Sequence, residues 1–219
     1  MAVLPFPDRT AAGTQLAKEL GKYGKQKNTI ILSLVRGGVV TGRALADALS
    51  LPLYPYIVRK LGHPEDREYA MGALAEGGAT YMDDATMQMC GIGWEDMQPI
   101  IKEETEELRR RKKAYLVEAR PSLLGKTIIL TDDGAATGAT LFAGIEDLKK
   151  AKVKKIIVAL PVCPPDTAAK LGKQVDETVF LATPTPFHAV FTRALVTRWN
   201  EPTSKRENDA HMTPFFRYT

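Results

Sequence analysis

The branched apolar run Ile128-Ile129-Leu130 passes through Thr131 into two acids and a loop of small residues, and a helical pattern begins where that loop ends. An apolar run without polar alternation suits a strand buried on both faces, and such strands belong to parallel sheets covered by helices. The same strand and helix patterns alternate along the chain without an internal repeat. The prediction is an α/β fold with a mainly parallel central sheet flanked by helices and a small hood built from terminal segments.

In detail, Asp8 is placed to cap a helix running to about residue 20, and strands are predicted at 29–35, 53–59, 127–131, 155–161 and 177–181. A helix over 39–49 should turn Ala44, Leu45, Ala48 and Leu49 inward, a second should cover 141–150, and a long charged helix should cover 95–118. Residues 60–78 are polar and contain Gly and Pro, too irregular for one long element, and read as a mobile excursion with a hairpin. Residues 1–199 form one domain in this reading, and 200–219 form a polar, partly disordered tail.

The loop Asp132-Asp133-Gly134-Ala135-Ala136-Thr137-Gly138-Ala139-Thr140 lies at the carboxyl end of its strand. That edge is where open α/β sheets bind ligands, and the amides opening the next helix form an anion site. Gly134, Gly138 and the alanines let backbone approach a ligand, while Thr137 and Thr140 add hydroxyls. No residue of the loop is cationic, so a phosphate here would rest on amides, hydroxyls and about half a unit of helix-dipole charge. Asp132 and Asp133 would repel that phosphate, so they must face sugar hydroxyls or a divalent metal. The expected ligand is a phosphorylated sugar.

A second glycine turn, Val35-Arg36-Gly37-Gly38-Val39, carries a cation. Its guanidinium can clamp phosphate oxygens with two parallel hydrogen bonds, which suits a diphosphate. A surface arginine beside a tight turn would have the same local sequence, and the other phosphate loop tips the reading toward ligand binding. Arg59 and Lys60, at the predicted end of the second strand, could stabilise charge growing on a leaving diphosphate; a solvated strand end is the plainer alternative. Glu68 and Glu76 lie in the same excursion, where they could position a substrate amine or a metal-bound water.

These residues resemble those of the type I phosphoribosyltransferases. The run 132–140 looks like that family's motif for phosphoribosyl diphosphate (PRPP), and Arg36, Gly37 and Gly38 match the loop that holds the pyrophosphate, often through a strained peptide bond. The resemblance implies that Asp132 and Asp133 hold the ribose hydroxyls directly or through Mg²⁺. It implies too that Gly134 to Thr140 wrap the 5′-phosphate and that Arg36, Gly37 and Gly38 hold the diphosphate, which Arg59 and Lys60 are expected to reach from their strand end. A less-characterised subfamily of such domains is similar further, at Phe6-Pro7-Asp8-Arg9, Ala12-Gly13, 59–62 and Met71-Gly72-Ala73, over roughly residues 6–187. That subfamily has proline where this chain has Val35. The implied activity is Mg²⁺-dependent transfer of a 5-phosphoribosyl group to a nitrogen acceptor such as a nucleobase, with pyrophosphate released and Phe187 a candidate to stack on the acceptor. Asp132, Asp133, Arg36 and Lys60 are the expected catalytic residues, and the expected assembly is a homodimer. A non-catalytic PRPP-binding regulator and a hydrolase or phosphorylase of ribose phosphates are the alternatives.

Composition is compatible with this. The 219 residues, 44% hydrophobic, can bury about 70% of the unfolded surface in one domain. Thirty basic against 26 acidic residues give +4, an excess that suits an anionic small substrate and does not argue for nucleic acid. The basic run 109–113 follows Glu103, Glu104, Glu106 and Glu107, and Glu106–Arg110 and Glu107–Arg111 pairs predict a solvated helix face. Cys90 and Cys163 show no metal spacing and point to a reducing compartment. Neither a secretory leader nor an apolar run of about 18 residues is evident, so a soluble cytoplasmic protein without membrane partners is expected. His63, His188 and His211 lack metal spacing, and no Ser or Cys occupies a nucleophile turn.

Overall fold

The computed structural model describes residues 6–115 and 120–185. Its elements are α1 (Arg9–Glu19), β1 (Thr29–Leu34), α2 (Gly38–Leu49), β2 (Leu53–Tyr56), β3 (Val58–Gly62), β4 (Ala70–Ala75), β5 (Thr80–Met82), α3 (Asp84–Cys90), α4 (Trp94–Ala114), β6 (Thr127–Thr131), α5 (Ala139–Lys150), β7 (Lys155–Val162), α6 (Pro165–Gly172) and β8 (Glu177–Ala182). A parallel sheet in the order β2-β1-β6-β7-β8 forms the centre, and β3-β4-β5 form a separate antiparallel sheet.

The apolar runs are buried on both faces as their sequence requires. Ile31, Ile129 and Ile157 share one core with Leu16, Leu20, Leu45 and Leu49 of α1 and α2. Ile30, Leu32, Ile128, Leu130 and Val158 face the other way, into a core with Leu141, Ile145 and Leu148 of α5. α1 and α2 approach closely at Gly13, where a Cβ would run into the Thr41 carbonyl and lie 2.8 Å from the Ala44 Cβ. The Ala12-Gly13 pair therefore serves helix packing. On α2 the buried stripe is Leu45, Ala46 and Leu49; Ala48, predicted inward, is exposed.

The second strand differs from expectation. It ends at Tyr56, and Arg59 and Lys60 belong to the following strand β3. Residues 60–78 contain the expected hairpin, β3 with β4, and are more regular than expected. They build most of an antiparallel meander whose Leu61, Met71, Ala73 and Leu74 are buried. Its middle strand packs against α5, so both of its faces are covered and the polar alternation that announces a strand is missing. Arg59 Nε on Glu104 at 2.5 Å and Arg67 on Glu103 at 2.6 Å tie the meander to α4. The polar sequence belongs to the exposed hairpin tip around residues 65–69.

On α4, Met97, Ile100 and Leu108 face the core, and the three arginines of the basic run pair with acids of the same helix. Glu106 pairs with Arg109 rather than Arg110, and Glu107 takes both Arg110 and Arg111, at 2.6, 2.7 and 2.8 Å. Hydrogen bonds from Arg110, with Arg111 beside it, hold the Glu107 carboxyl down at about 2. Among the described residues no helix is long and apolar enough to cross a membrane. Phe187, His188, Trp199, His211 and the 200–219 tail lie outside the described residues, as does most of the expected hood.

Candidate ligand site

β1 and β6 are parallel neighbours with Ser33 opposite Thr131, so the turns leaving their carboxyl ends emerge side by side. They touch. A Cβ at Gly37 would run into the Asp133 carboxylate, and one at Gly38 would lie 2.8 Å from Asp132 Cα and 2.7 Å from its Oδ1. Glycine at 37 and 38 thus allows the arginine turn to close over the acidic pair. The Val35–Arg36 peptide in this turn is cis, at the position where the family resemblance implies an unusual peptide bond.

The loop 134–140 is held from two sides. Ala135 N–H donates to the Val162 carbonyl of β7 at 3.0 Å, and the Thr167 hydroxyl of α6 donates to the Ala136 carbonyl at 2.8 Å. Gly138 caps α5 with φ +80°, a conformation that a side chain disfavours, and a Cβ there would lie 2.8 Å from the Thr167 methyl. The amides of Ala139, Thr140 and Leu141 open α5, where a helix has no internal acceptors, although Ala139 N–H reaches Thr137 Oγ1 at 3.5 Å. Ala136 and Thr137 are exposed. The loop is thereby shaped to receive an anion on backbone amides.

The acids are nearly enclosed and interact with each other. Asp132 Oδ1 accepts the Asp133 N–H at 2.8 Å. Burial, and then the Asp133 charge, pushes Asp132 well above the usual carboxylate range. Burial also raises Asp133, against the opposing pull of Arg9. Burial and mutual repulsion thus work against ionising both acids together, and a hydrogen-bond donor or a cation placed on them would offset that cost.

Arg9 was not among the site residues anticipated from sequence. From the first position of α1 it donates through Nε at 3.1 Å and Nη2 at 2.8 Å to Asp133 Oδ2. The contact spans 124 positions, and only the Phe6-Pro7-Asp8-Arg9 motif signalled it. The other anticipated residues have the following surroundings. Arg59 is engaged by Glu104, Lys60 is solvent-exposed on β3, and Glu68 is exposed. Glu76 is buried, accepts the Ile57 N–H at 2.8 Å and pairs with Arg120 at 2.5 Å. These contacts give Glu76 a structural role in place of contact with a substrate amine or metal-bound water.

As to magnesium, no group of three or more His, Cys, Asp or Glu side chains able to cage a metal exists among the described residues. Two adjacent carboxylates fit Mg²⁺ only where substrate oxygens and waters supply the remaining ligands, its usual mode at phosphate sites. A groove of about 430 Å³ lined by Lys149, Ile156, Lys173 and Asp176 lies at the amino ends of β7 and β8, the opposite edge of the sheet.

The chain is 36% identical over 186 residues to a Mycobacterium tuberculosis protein, from strains CDC 1551 and H37Rv, provisionally named a phosphoribosyl transferase. The match takes in 84% of this chain and 42% of the relative, so the chain spans less than half the length of the curated proteins it matches. The crystal structure of TT1426 from Thermus thermophilus superposes with a TM-score of 0.75 at 28% identity, over 97% of this chain and 99% of that one. The family described as "Phosphoribosyl transferase domain" matches residues 2–187 and so takes in both glycine turns and the acidic pair. With that match over most of its length, the chain belongs to the phosphoribosyl transferase domain family.

Proposed function

We propose that this chain binds PRPP at the carboxyl edge of its sheet and transfers the 5-phosphoribosyl group to a nitrogen acceptor, releasing pyrophosphate. The observation that carries the reading is the contact between the two turns. The acidic pair has a helix-capping anion loop on one side and the Arg36 turn packed against it on the other. A sugar with a phosphate at one end and a diphosphate at the other has that layout.

In this reading the α5 amides, Thr137 and Thr140 hold the 5′-phosphate, Asp132 and Asp133 accept from the ribose hydroxyls, and Arg36 binds the diphosphate. The C1′–O bond breaks with its electron pair leaving on pyrophosphate, and positive charge develops at C1′ as in glycosidic cleavage. The acceptor nitrogen supplies the new pair and loses its proton. The chain contributes by holding the reactants in line and by placing anions beneath the ribose while Arg36 neutralises the departing charge. Asp132 or Asp133 of the acidic pair would hold Mg²⁺ that arrives with the substrate, and the ion would supply charge neutralisation of the leaving group.

The test is pyrophosphate release on incubation with Mg-PRPP and a panel of purines, pyrimidines and other nitrogen heterocycles. At least one acceptor should exceed the no-acceptor control. Tight PRPP binding with no turnover across a broad panel would instead favour a PRPP-binding regulator, and release equal with and without acceptor would favour a hydrolase.

A further inference from the structure

Arg9 stands on the acidic pair from an element remote in sequence, and the proposed function assigns it no task. Resting on that function, we propose that Arg9 is a positioning residue that acts as a fixed counter-cation for Asp133. It commits this carboxylate to a ribose hydroxyl and denies it to a divalent metal as a direct ligand.

The geometry carries the argument. Both guanidinium contacts, at 3.1 and 2.8 Å, fall on the same oxygen, Oδ2, which also faces Gly37. The pair is largely enclosed, with 17% of the Arg9 side chain and 11% of the Asp133 side chain exposed, so water screens it little. Arg9 is also held in place. Phe6 is fully buried against Val162 and Ala182, and the Asp8 carboxylate accepts the Ala11 N–H at 2.7 Å, fixing where α1 begins. A magnesium ion bound directly by Asp133 would sit at about 2 Å from its oxygen in a near-ideal octahedron. Such a dication would be forced close to the guanidinium in a site of low dielectric, where like charges repel strongly. A sugar hydroxyl brings no charge. It donates one hydrogen bond to a carboxylate that Arg9 keeps oriented, and a charge-assisted bond of this kind is among the stronger ones.

Calorimetry on the full chain tests this with three titrants: MgCl2 alone, Mg-PRPP, and ribose 5-phosphate in EDTA. Wild-type protein should show no Mg²⁺ binding below millimolar concentrations. Arg9→Ala should gain Mg²⁺ affinity by at least tenfold while losing about tenfold for metal-free ribose 5-phosphate. Arg9→Lys, which keeps the charge but not the two-point contact, should stay silent toward Mg²⁺ and recover part of the sugar affinity. Sub-millimolar Mg²⁺ binding by the wild type, which needs no variant, overturns the proposal. So does an Arg9→Ala protein matching the wild type toward all three titrants. A wild type that binds neither sugar phosphate, alongside an Arg9→Ala variant that gains Mg²⁺, would remove the proposed function yet leave the counter-cation role standing.

Discussion

Asp132 is the residue whose charge the fold tolerates least, because burial and its neighbour Asp133 both oppose ionisation and Arg9 reaches the neighbour. A carboxyl raised in the folded chain binds its proton more tightly there than in the unfolded chain. Stability contributed by that proton is present below the unfolded value and is lost as pH climbs through the raised value. Asp132→Asn keeps an oxygen for the Asp133 N–H and removes the charge, so its melting temperature should exceed that of the wild type at pH 7.5 and converge with it below about pH 4, near the ordinary carboxylate value. The same variant should bind Mg-PRPP at least tenfold more weakly, about 1.4 kcal/mol. Thermal melts across pH, with PRPP titration, check both. Asp133→Asn should show no such stability gain, since it weakens the partner of a largely buried guanidinium.

At the scale of elements, the meander is joined to the phosphate-loop helix by one buried carboxylate. Asp147 of α5 accepts from the Tyr56 hydroxyl at 2.7 Å and from the Gly77 and Ala79 amides at 3.1 and 3.3 Å. Gly77 is required there, since a Cβ would meet that carboxylate. Asp147→Ala strands three donors, and stranding a buried polar group costs about 1–3 kcal/mol, so a loss of about 3 kcal/mol in denaturant unfolding is expected. Hydrogen exchange should quicken most in β4 and β5. If exchange rises evenly over the chain, the clasp has no local role. Cys163 at the end of β7 illustrates a quieter consequence of burial: its thiol is pushed up to about 12 and is unreactive in the folded state.

For the whole molecule, the two turns divide one ligand between them, and Arg36 is where the division can be measured. Arg36→Ala should weaken PRPP by about 2–3 kcal/mol, the range for a lost charged hydrogen bond, and leave ribose 5-phosphate nearly unchanged because it lacks the diphosphate. Equal losses for the two ligands, with an unchanged melting temperature, would place Arg36 at the sugar or the 5′-phosphate. The comparison also guards against a fold defect, which would harm both.

The sequence by itself determined the layered α/β architecture, the parallel strands and the loop 132–140, because these depend on local signals. Ile128-Ile129-Leu130 must be buried on both faces, and a glycine- and threonine-containing loop leading straight into a helix exposes amides wherever the chain runs. Strand β6 was legible to the residue for that reason. Tertiary structure alone decided what lies across from each local piece. Of the meander only a hairpin is legible, because α5 covers the second face of its middle strand and removes the period-two pattern. Phe6-Pro7-Asp8-Arg9 was visible only as a motif, and its link to Asp133 arises because α1 begins beside the carboxyl ends of strands more than a hundred positions away. Gly37 and Gly38 looked like a phosphate turn. Their contact with Asp132 and Asp133 follows from the parallel register of β1 and β6, which no local pattern encodes.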